Sequence, residues 1–151
     1  MDAIDRRILR ELARDGRLTN QRLAERVGLS ASACLRRVQG LERDGVISGY
    51  RAVTDPSRMG VGFVAYLAAG LNEHSAEAQA AFEAACKSAP EITECHNVTG
   101  AVEYLLRIEA ADIDAYKRVH TEVLGRLPMI ARLTTYVVLG SPKDDRGPLR
   151  S

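Results

Sequence analysis

The chain has 151 residues, which is enough for one or two small domains. It has no apolar run long enough to span a bilayer and no uninterrupted apolar signal core near its amino terminus. We therefore expect a soluble, cytoplasmic protein. Its formal net charge of +1 argues against a uniformly basic nucleic-acid coat, but residues 1–60 carry four more basic than acidic residues and residues 61–151 carry three more acidic than basic ones. This asymmetry predicts two modules with different partners. The three cysteines are too few and too far apart for a disulfide framework or a four-ligand zinc site, and no metal or cofactor is expected.

The first half of the sequence predicts three short amphipathic helices. In "DAIDRRILRELARDG" the apolar residues recur at helical spacing, Asp2 can cap the helix and Gly16 can end it. The second helix starts after Thr19 and buries Leu23, Ala24 and Val27. Gly28 permits a sharp turn, Leu29 fills the space between helices, and Ser30 caps a third helix whose predicted inward residues are Leu35, Val38 and Leu41. Two helices joined by a glycine turn, with a preceding helix to close the core, form a helix-turn-helix.

The third helix has the composition of a DNA-recognition helix. Guanidinium groups match phosphate oxygens and the O6/N7 edge of guanine, and a helix start offers free backbone N–H groups to phosphate. The predicted contacts with DNA are Ser30, Ser32, Arg36, Arg37 and Gln39. The alternative is a solvated helix face on which the arginines pair with Glu42 and Asp44, and for Arg43 this alternative is at least as good. The turn, the preceding helix and the basic first half favour DNA.

After the third helix, "VISGYRAV" predicts a short strand and "TDPSRMG" a linker. The elements that follow predict the order βαββαβ, which is the ferredoxin-like pattern. The four predicted strands are "VGFVAYLAAGL", "ITECHNVTG", "EYLLRIEA" and "ARLTTYVVLG". The first predicted helix is "SAEAQAAFEAACKSAP", with Phe82 and Cys86 pointing inward. The second is "DIDAYKRVHTEVLGRLP", and its predicted inward residues are Tyr116, Val119, Val123 and Leu127. The predicted fold class is therefore α+β. A winged-helix-like helix-turn-helix domain spans 1–50, a strand and linker 51–60, a ferredoxin-like domain 61–140 and a loose tail 141–151.

The first strand of this second domain is apolar at nearly every position. A ferredoxin-like domain covers only one sheet face with its helices, so an apolar strand needs a cover on the other face. A second copy of the domain is the simplest cover and predicts a symmetric dimer. The alternative is that Ala65, Ala68 and Ala69 lie on the open face and expose little.

Together these segments resemble the Lrp/AsnC (leucine-responsive, or feast/famine) family of bacterial transcription regulators. The resemblance extends from "IDRRILRELARDGRLTN" through "LAERVGLSASACLRRVQGLERDGVISGY" and "ITECHNVTGAVEYLL" to "LPMIARLTTYVVL". It implies a DNA-binding amino domain and a carboxyl domain for amino-acid sensing and oligomer formation. It also implies a homodimer that assembles further, commonly to an octamer.

The family similarity also implies an effector site between subunits at the loop "GAVEY". The site residues implied here are Asn97, Gly100, Ala101, Glu103 and Tyr136. Family members usually have acidic residues where this chain has Ala101, and aspartate where it has Glu103. The Glu103 carboxylate can pair with the ammonium of a bound amino acid. Backbone N–H groups near Gly100 can bind the carboxylate of that amino acid. We expect a small amino acid with an apolar or neutral side chain. The local sequence alone favours an ordinary hairpin, with Gly100 for the turn and Glu103 solvated, and the family similarity reverses that preference.

The sequence offers little support for an enzyme. Cys95 and His96 are adjacent on a predicted strand and therefore point to opposite faces. No phosphate loop, dinucleotide turn or catalytic triad pattern is present. Two alternatives stay open beside the regulator: a small-molecule enzyme on a ferredoxin-like domain, and an effector-binding module whose helix-turn-helix binds only protein.

Overall fold

The computed structural model describes residues 1–144 and divides them into two compact units, which are treated separately below. The first unit comprises Met1–Val53, and the second begins at Thr54. No helix within residues 1–144 is both long and apolar enough to cross a membrane.

Three helices build the first unit, each with the N-cap that the sequence predicts. They are α1 (Ala3–Arg14), α2 (Asn20–Val27) and α3 (Ala31–Arg43), capped by the side chains of Asp2, Thr19 and Ser30. Gly28 adopts φ 74° between α2 and α3, a conformation that side-chain-bearing residues rarely adopt. The helix-turn-helix prediction is therefore confirmed.

The core of this unit differs from the prediction at the start of α3. Cys34 is fully buried with Ile8, Leu23 and Leu41, whereas Leu35, predicted to point inward, is 45% exposed. Helical spacing from Leu41 leads back through Val38 to Cys34, so the small thiol takes the core position and Leu35 is rotated outward.

The strand predicted at "VISGYRAV" is wrong, because residues 46–53 form no strand. The segment is instead held against α3: the Ile47 N–H donates to the Leu41 carbonyl at 3.0 Å, and the Tyr50 hydroxyl donates to Glu42 at 2.9 Å. A strand needs a neighbouring backbone to complete its ladder, and no segment of the described chain supplies one here. The linker that follows contains a single 3₁₀ turn, Ser57–Met59.

The second unit has the predicted βαββαβ order. Its elements are β1 (Phe63–Leu71), α4 (Ala76–Ser88), β2 (Ile92–Asn97), β3 (Tyr104–Ala110), α5 (Ile113–Arg118) and β4 (Ile130–Val137). The strands form one antiparallel sheet in the order β2-β3-β1-β4. This is the ferredoxin-like arrangement, and the fold prediction is confirmed.

One face of this sheet is packed against the helices and the other is open. Alternation along β1 places Ala65, Leu67, Ala69 and Leu71 in the core with Phe82, Tyr104 and Leu124. The suggestion that Ala65 and Ala69 lie on the open face is therefore wrong, and only Ala68 of the three alanines does. The open face carries Tyr66, Ala68 and Gly70 of β1, Leu105, Arg107 and Glu109 of β3, and Thr134 and Tyr136 of β4.

The helix predicted over 112–128 changes its winding partway. α5 ends at Arg118 and continues as a π-helical turn, Val119–Val123, and a 3₁₀ turn, Leu124–Arg126. The wider π turn shifts the inward position by one residue. Leu124 is consequently fully buried, whereas Val123, predicted to point inward, is only partly buried.

All three thiols lie in or against the cores. Cys34 and Cys86 are buried, and Cys95 packs on the second core. Burial raises the pKa of each thiol above its ordinary value. These cysteines pack as small apolar groups, as the sequence predicts for Cys34.

Residues 138–144 return toward the sheet after β4. The Val138 N–H donates to the Val64 carbonyl at 2.9 Å, and the Asp144 carboxylate lies 3.8 Å from the Arg107 guanidinium. The rest of the predicted tail, residues 145–151, lies outside the described residues.

Candidate functional sites

The outward face of α3 presents four exposed side chains at helical spacing. Ser32, Arg36, Gln39 and Arg43 are all exposed and lie on one side of the helix. Arg36 makes no ion pair with any residue of the described chain, so its guanidinium is available to a ligand. Arg43 lies 3.4 Å from Asp44, which agrees with a surface ion pair at the carboxyl end of the helix.

Arg37 has a different environment from its neighbour. Its Nη1 lies 2.8 Å from Asp2 Oδ2 and 2.8 Å from Asp5 Oδ1, and its side chain is only 30% exposed. The backbone N–H of Asp5 and the Arg37 guanidinium lower the pKa of the Asp2 carboxyl from 3.8 to about 2. Arg37 therefore joins α3 to the amino end of α1, and Asp2 both caps α1 and binds this arginine.

The turn before α3 is held by further hydrogen bonds. The Ser30 hydroxyl accepts from the Ala33 N–H at 3.3 Å, and the Asn20 side-chain amide donates to the Ala31 carbonyl at 2.7 Å. The Arg26 guanidinium binds Glu11 at 2.9 Å and connects α2 to α1. The N-terminal end of α3 is thus fixed relative to both other helices, which is the rigidity that a recognition helix needs.

In the second unit, the loop between β2 and β3 is closed by its own backbone. The Val98 N–H donates to the Glu103 carbonyl at 2.9 Å, and the Glu103 N–H donates to the Ala69 carbonyl at 3.2 Å. Gly100 adopts φ 137°, a conformation that other residues rarely adopt, and the space where its side chain would lie is open. The glycine is thus required by the turn.

The Glu103 carboxylate lies over the β1 end of the sheet. Its Oε2 accepts a hydrogen bond from the Leu71 N–H at 2.7 Å, and its Oε1 lies 3.8 Å from His74 Nδ1. On the other side, Arg132 Nη2 donates to the Ala101 carbonyl at 3.2 Å. The loop therefore has an anionic group and a cationic group at its two flanks.

The structure brings only some of the predicted effector residues together within one chain. Gly100, Ala101 and Glu103 share the loop, while Asn97 lies at the end of β2 opposite Tyr104. Tyr136 lies on the open face four residues along β4 from Arg132, which is about 13 Å of strand. Asn97 directly precedes the loop, whereas Tyr136 lies away from it within one chain.

Several residues that contact these sites from distant positions in the chain were not predicted from the sequence. Asp2 and Asp5 lie more than 30 residues from Arg37, and Arg132 is 31 residues from Ala101. Local spacing carries no signal for such contacts, although the strand register could have placed Arg132 opposite Gly70.

Comparison with known protein families matches both units. Residues 1–48 match the winged helix-turn-helix DNA-binding model, and residues 64–148 match the Lrp/AsnC ligand binding domain model. The leucine-responsive regulatory proteins of Salmonella typhimurium and Escherichia coli are each 41% identical over 143 residues, which is 95% of this chain and 87% of theirs.

Solved structures give the same result for the fold. A transcriptional regulator from Neisseria meningitidis in complex with L-Met superposes with a TM-score of 0.91 at 32% identity, over 95% of this chain and 93% of that chain. An AsnC family transcriptional regulator from Agrobacterium tumefaciens superposes with a TM-score of 0.90 at 33% identity, over 95% of this chain and 94% of that chain.

Proposed function

The chain belongs to the Lrp/AsnC family of DNA-binding transcription regulators, and we propose that it binds operator DNA through the outward face of α3 and responds to a neutral amino acid bound at the loop 98–103. It is a regulator with an amino-acid-binding domain and not an enzyme. A regulator of transcription acts where the chromosome is, so we infer that it works in the cytoplasm.

The observation that carries the DNA proposal is the Arg36 guanidinium, which forms no ion pair within residues 1–144 and lies beside Ser32 and Gln39 on an exposed helix face. Arginine and glutamine can both form bidentate hydrogen bonds with base edges, and a serine hydroxyl can hydrogen-bond to a base edge or a phosphate. Arg37, held by Asp2 and Asp5, supports the same proposal by fixing the helix.

The DNA proposal is tested by selecting bound duplexes from a random pool and measuring affinity for the selected operator over a range of salt concentrations. Phosphate neutralisation releases counterions, so we expect the logarithm of affinity to fall linearly with the logarithm of salt concentration. A module whose helix-turn-helix binds only protein would select no sequence and show no such slope.

The effector proposal rests on the loop geometry and on the names of similar proteins. The curated relatives are leucine-responsive, and a structural neighbour is a complex with L-Met. Calorimetry with each of the twenty common amino acids, on the wild type and on Glu103→Ala, tests it directly. We expect Glu103→Ala to weaken binding because it removes the carboxylate that would pair with the ammonium. Equal binding by both proteins would remove Glu103 from the site, and no binding at millimolar concentration would mean that the regulator responds to another signal.

We also propose that the open sheet face joins two copies into a dimer, and that these dimers assemble further, up to the octamer that the family similarity implies. Tyr66, Leu105 and Tyr136 expose 36%, 39% and 59% of their surface on this face. A large apolar patch between polar residues is typical of a protein interface. Such a dimer would present two copies of α3 to half-sites one helical turn apart, or a multiple of it.

A further inference from the structure

Three neighbouring strands form a row on the open face at the end that carries the effector loop. Gly70 of β1 pairs with Arg132 of β4, and Glu103, the residue before β3, lies toward the β3 side of Gly70, with its Oε2 atom 3.8 Å from the position that a Cβ on Gly70 would take. The row therefore reads Glu103, Gly70, Arg132, with the glycine between an acid and a base.

Because Gly70 has no side chain, the row contains a gap. A Cβ on Gly70 would lie 3.8 Å from the Glu103 Oε2 atom and 3.8 Å from the Arg132 Cβ atom. The floor of the gap is thus the Gly70 backbone. The Glu103 carboxylate lies on one side of it, and the Arg132 side chain starts on the other side and reaches the loop at the Ala101 carbonyl. An α-amino acid carries an ammonium and a carboxylate on one carbon. Its two charges are therefore complementary to those of Glu103 and Arg132.

The two charged groups are still able to bind a ligand. Arg132 is exposed, it donates one hydrogen bond to the Ala101 carbonyl, and it makes no ion pair with any residue between Met1 and Asp144. A guanidinium has five N–H donors, so several remain for a carboxylate. Glu103 is positioned by the Leu71 N–H, which donates to its Oε2 atom, and its Oε1 atom lies 3.8 Å from the Nδ1 atom of the exposed His74.

We propose that Arg132 is the carboxylate-binding residue of the effector site and that Gly70 provides the space in which the effector backbone lies, with the ammonium on Glu103. This inference rests on the proposed amino-acid response and assigns to Arg132 the role that backbone N–H groups near Gly100 were expected to fill. Since both charges in the row are used by the zwitterion, no charge in the row is left for the effector side chain. The effector is accordingly a neutral α-amino acid.

The test uses calorimetry on the full chain with the amino acid that binds the wild type most tightly and with the amine formed by its decarboxylation. We expect the wild type to prefer the amino acid by about tenfold or more, as for a hydrogen-bonded charged pair. Arg132→Gln should abolish this preference while leaving amine binding unchanged, and Arg132→Lys should restore part of it. Arg118→Gln, an exposed arginine on α5, is the matched control and should behave as the wild type.

A second variant tests the gap itself. Gly70→Ala adds a methyl group at ordinary van der Waals distance from its neighbours, so it should fold and melt as the wild type does. We expect it to weaken binding of the amino acid and of the amine by about tenfold, because the methyl group occupies the space of the effector backbone.

The outcomes separate this inference from the proposed function. If the wild type binds an amino acid but Arg132→Gln keeps the preference over the amine, or Gly70→Ala binds normally, the assignment of Arg132 and Gly70 is wrong and the amino-acid response stands. If the wild type binds no amino acid at millimolar concentration, both are wrong.

Discussion

Two adjacent arginines on α3 have different roles because helical geometry points them in different directions. Arg36 faces outward with no ion pair in the described chain, whereas Arg37 turns toward α1 and binds two aspartates at 2.8 Å. A one-residue step rotates a side chain by about 100° around a helix, enough to move it from a ligand surface to a helix interface.

This difference predicts separable mutant effects. Arg36→Ala should weaken operator binding by about 1–3 kcal/mol and relax specificity at one base, with an unchanged melting temperature. Arg37→Ala should lower the melting temperature as well as the affinity, because α3 loses its connection to α1. Operator titrations and thermal melts of both variants provide the check. Unchanged affinity and salt slope in both variants would show that α3 does not bind the duplex.

Asp2 predicts a pH dependence of stability. Its folded pKa of about 2 lies below the ordinary 3.8, so its contribution is fully present above about pH 4 and is lost as the pH falls toward 2. Asp2→Asn keeps a good N-cap residue but removes the charge. The melting temperature of the variant should therefore lie below that of the wild type near pH 6, and the two should converge near pH 2. A gap that persists at low pH would contradict the role given to this carboxylate.

At the scale of elements, the π turn after α5 decides which side chains enter the second core. It places Leu124 fully in the core and leaves Val123 partly exposed. Leu124→Ala should therefore reduce the free energy of unfolding by about 2–5 kcal/mol. Val123→Ala should cost roughly 1 kcal/mol or less. Chemical denaturation of the two variants measures both values, and a larger loss for Val123→Ala would indicate a regular α-helix in this segment.

The elements predicted correctly from sequence are those whose signal is local. Ser30, Thr19 and Asp2 mark helix starts by their own chemistry, and the βαββαβ order follows from apolar patterns bounded by turns. The failures arise where a distant partner decides. Residues 46–53 have strand composition, but no strand within residues 1–144 pairs with them. The inward positions after α5 were predicted from the regular α-helical spacing, and the π turn changes that spacing.

The effector site illustrates the same limit. The loop and Glu103 stand out in the sequence, because a glycine and a carboxylate close together are visible there. Arg132 and Gly70 join them only through strand register, which becomes known once the sheet order β2-β3-β1-β4 is known.

At the scale of the whole molecule, the open sheet face predicts the assembly. Leu105→Lys places a charge in the middle of this face and should shift the full chain from dimer toward monomer at micromolar concentration. Ile113→Lys is a matched control, since Ile113 is 57% exposed but lies at the start of α5 on the opposite side of the sheet. Sedimentation velocity distinguishes the two. If Leu105→Lys sediments as the wild type does, the open face is not the dimer interface.

The burial of Cys34 and Cys86 and the partial burial of Cys95 have a practical consequence for studying this regulator in action. Thiolate is the form that reacts with maleimides and peroxides, and a raised pKa keeps Cys34, Cys86 and Cys95 protonated at neutral pH. A cysteine introduced at an exposed position outside the proposed DNA contacts, such as Asp44 at the carboxyl end of α3, would therefore react far faster than the native ones. A single fluorophore could then be attached to the recognition helix without first replacing any native cysteine, and its emission would report operator binding in real time.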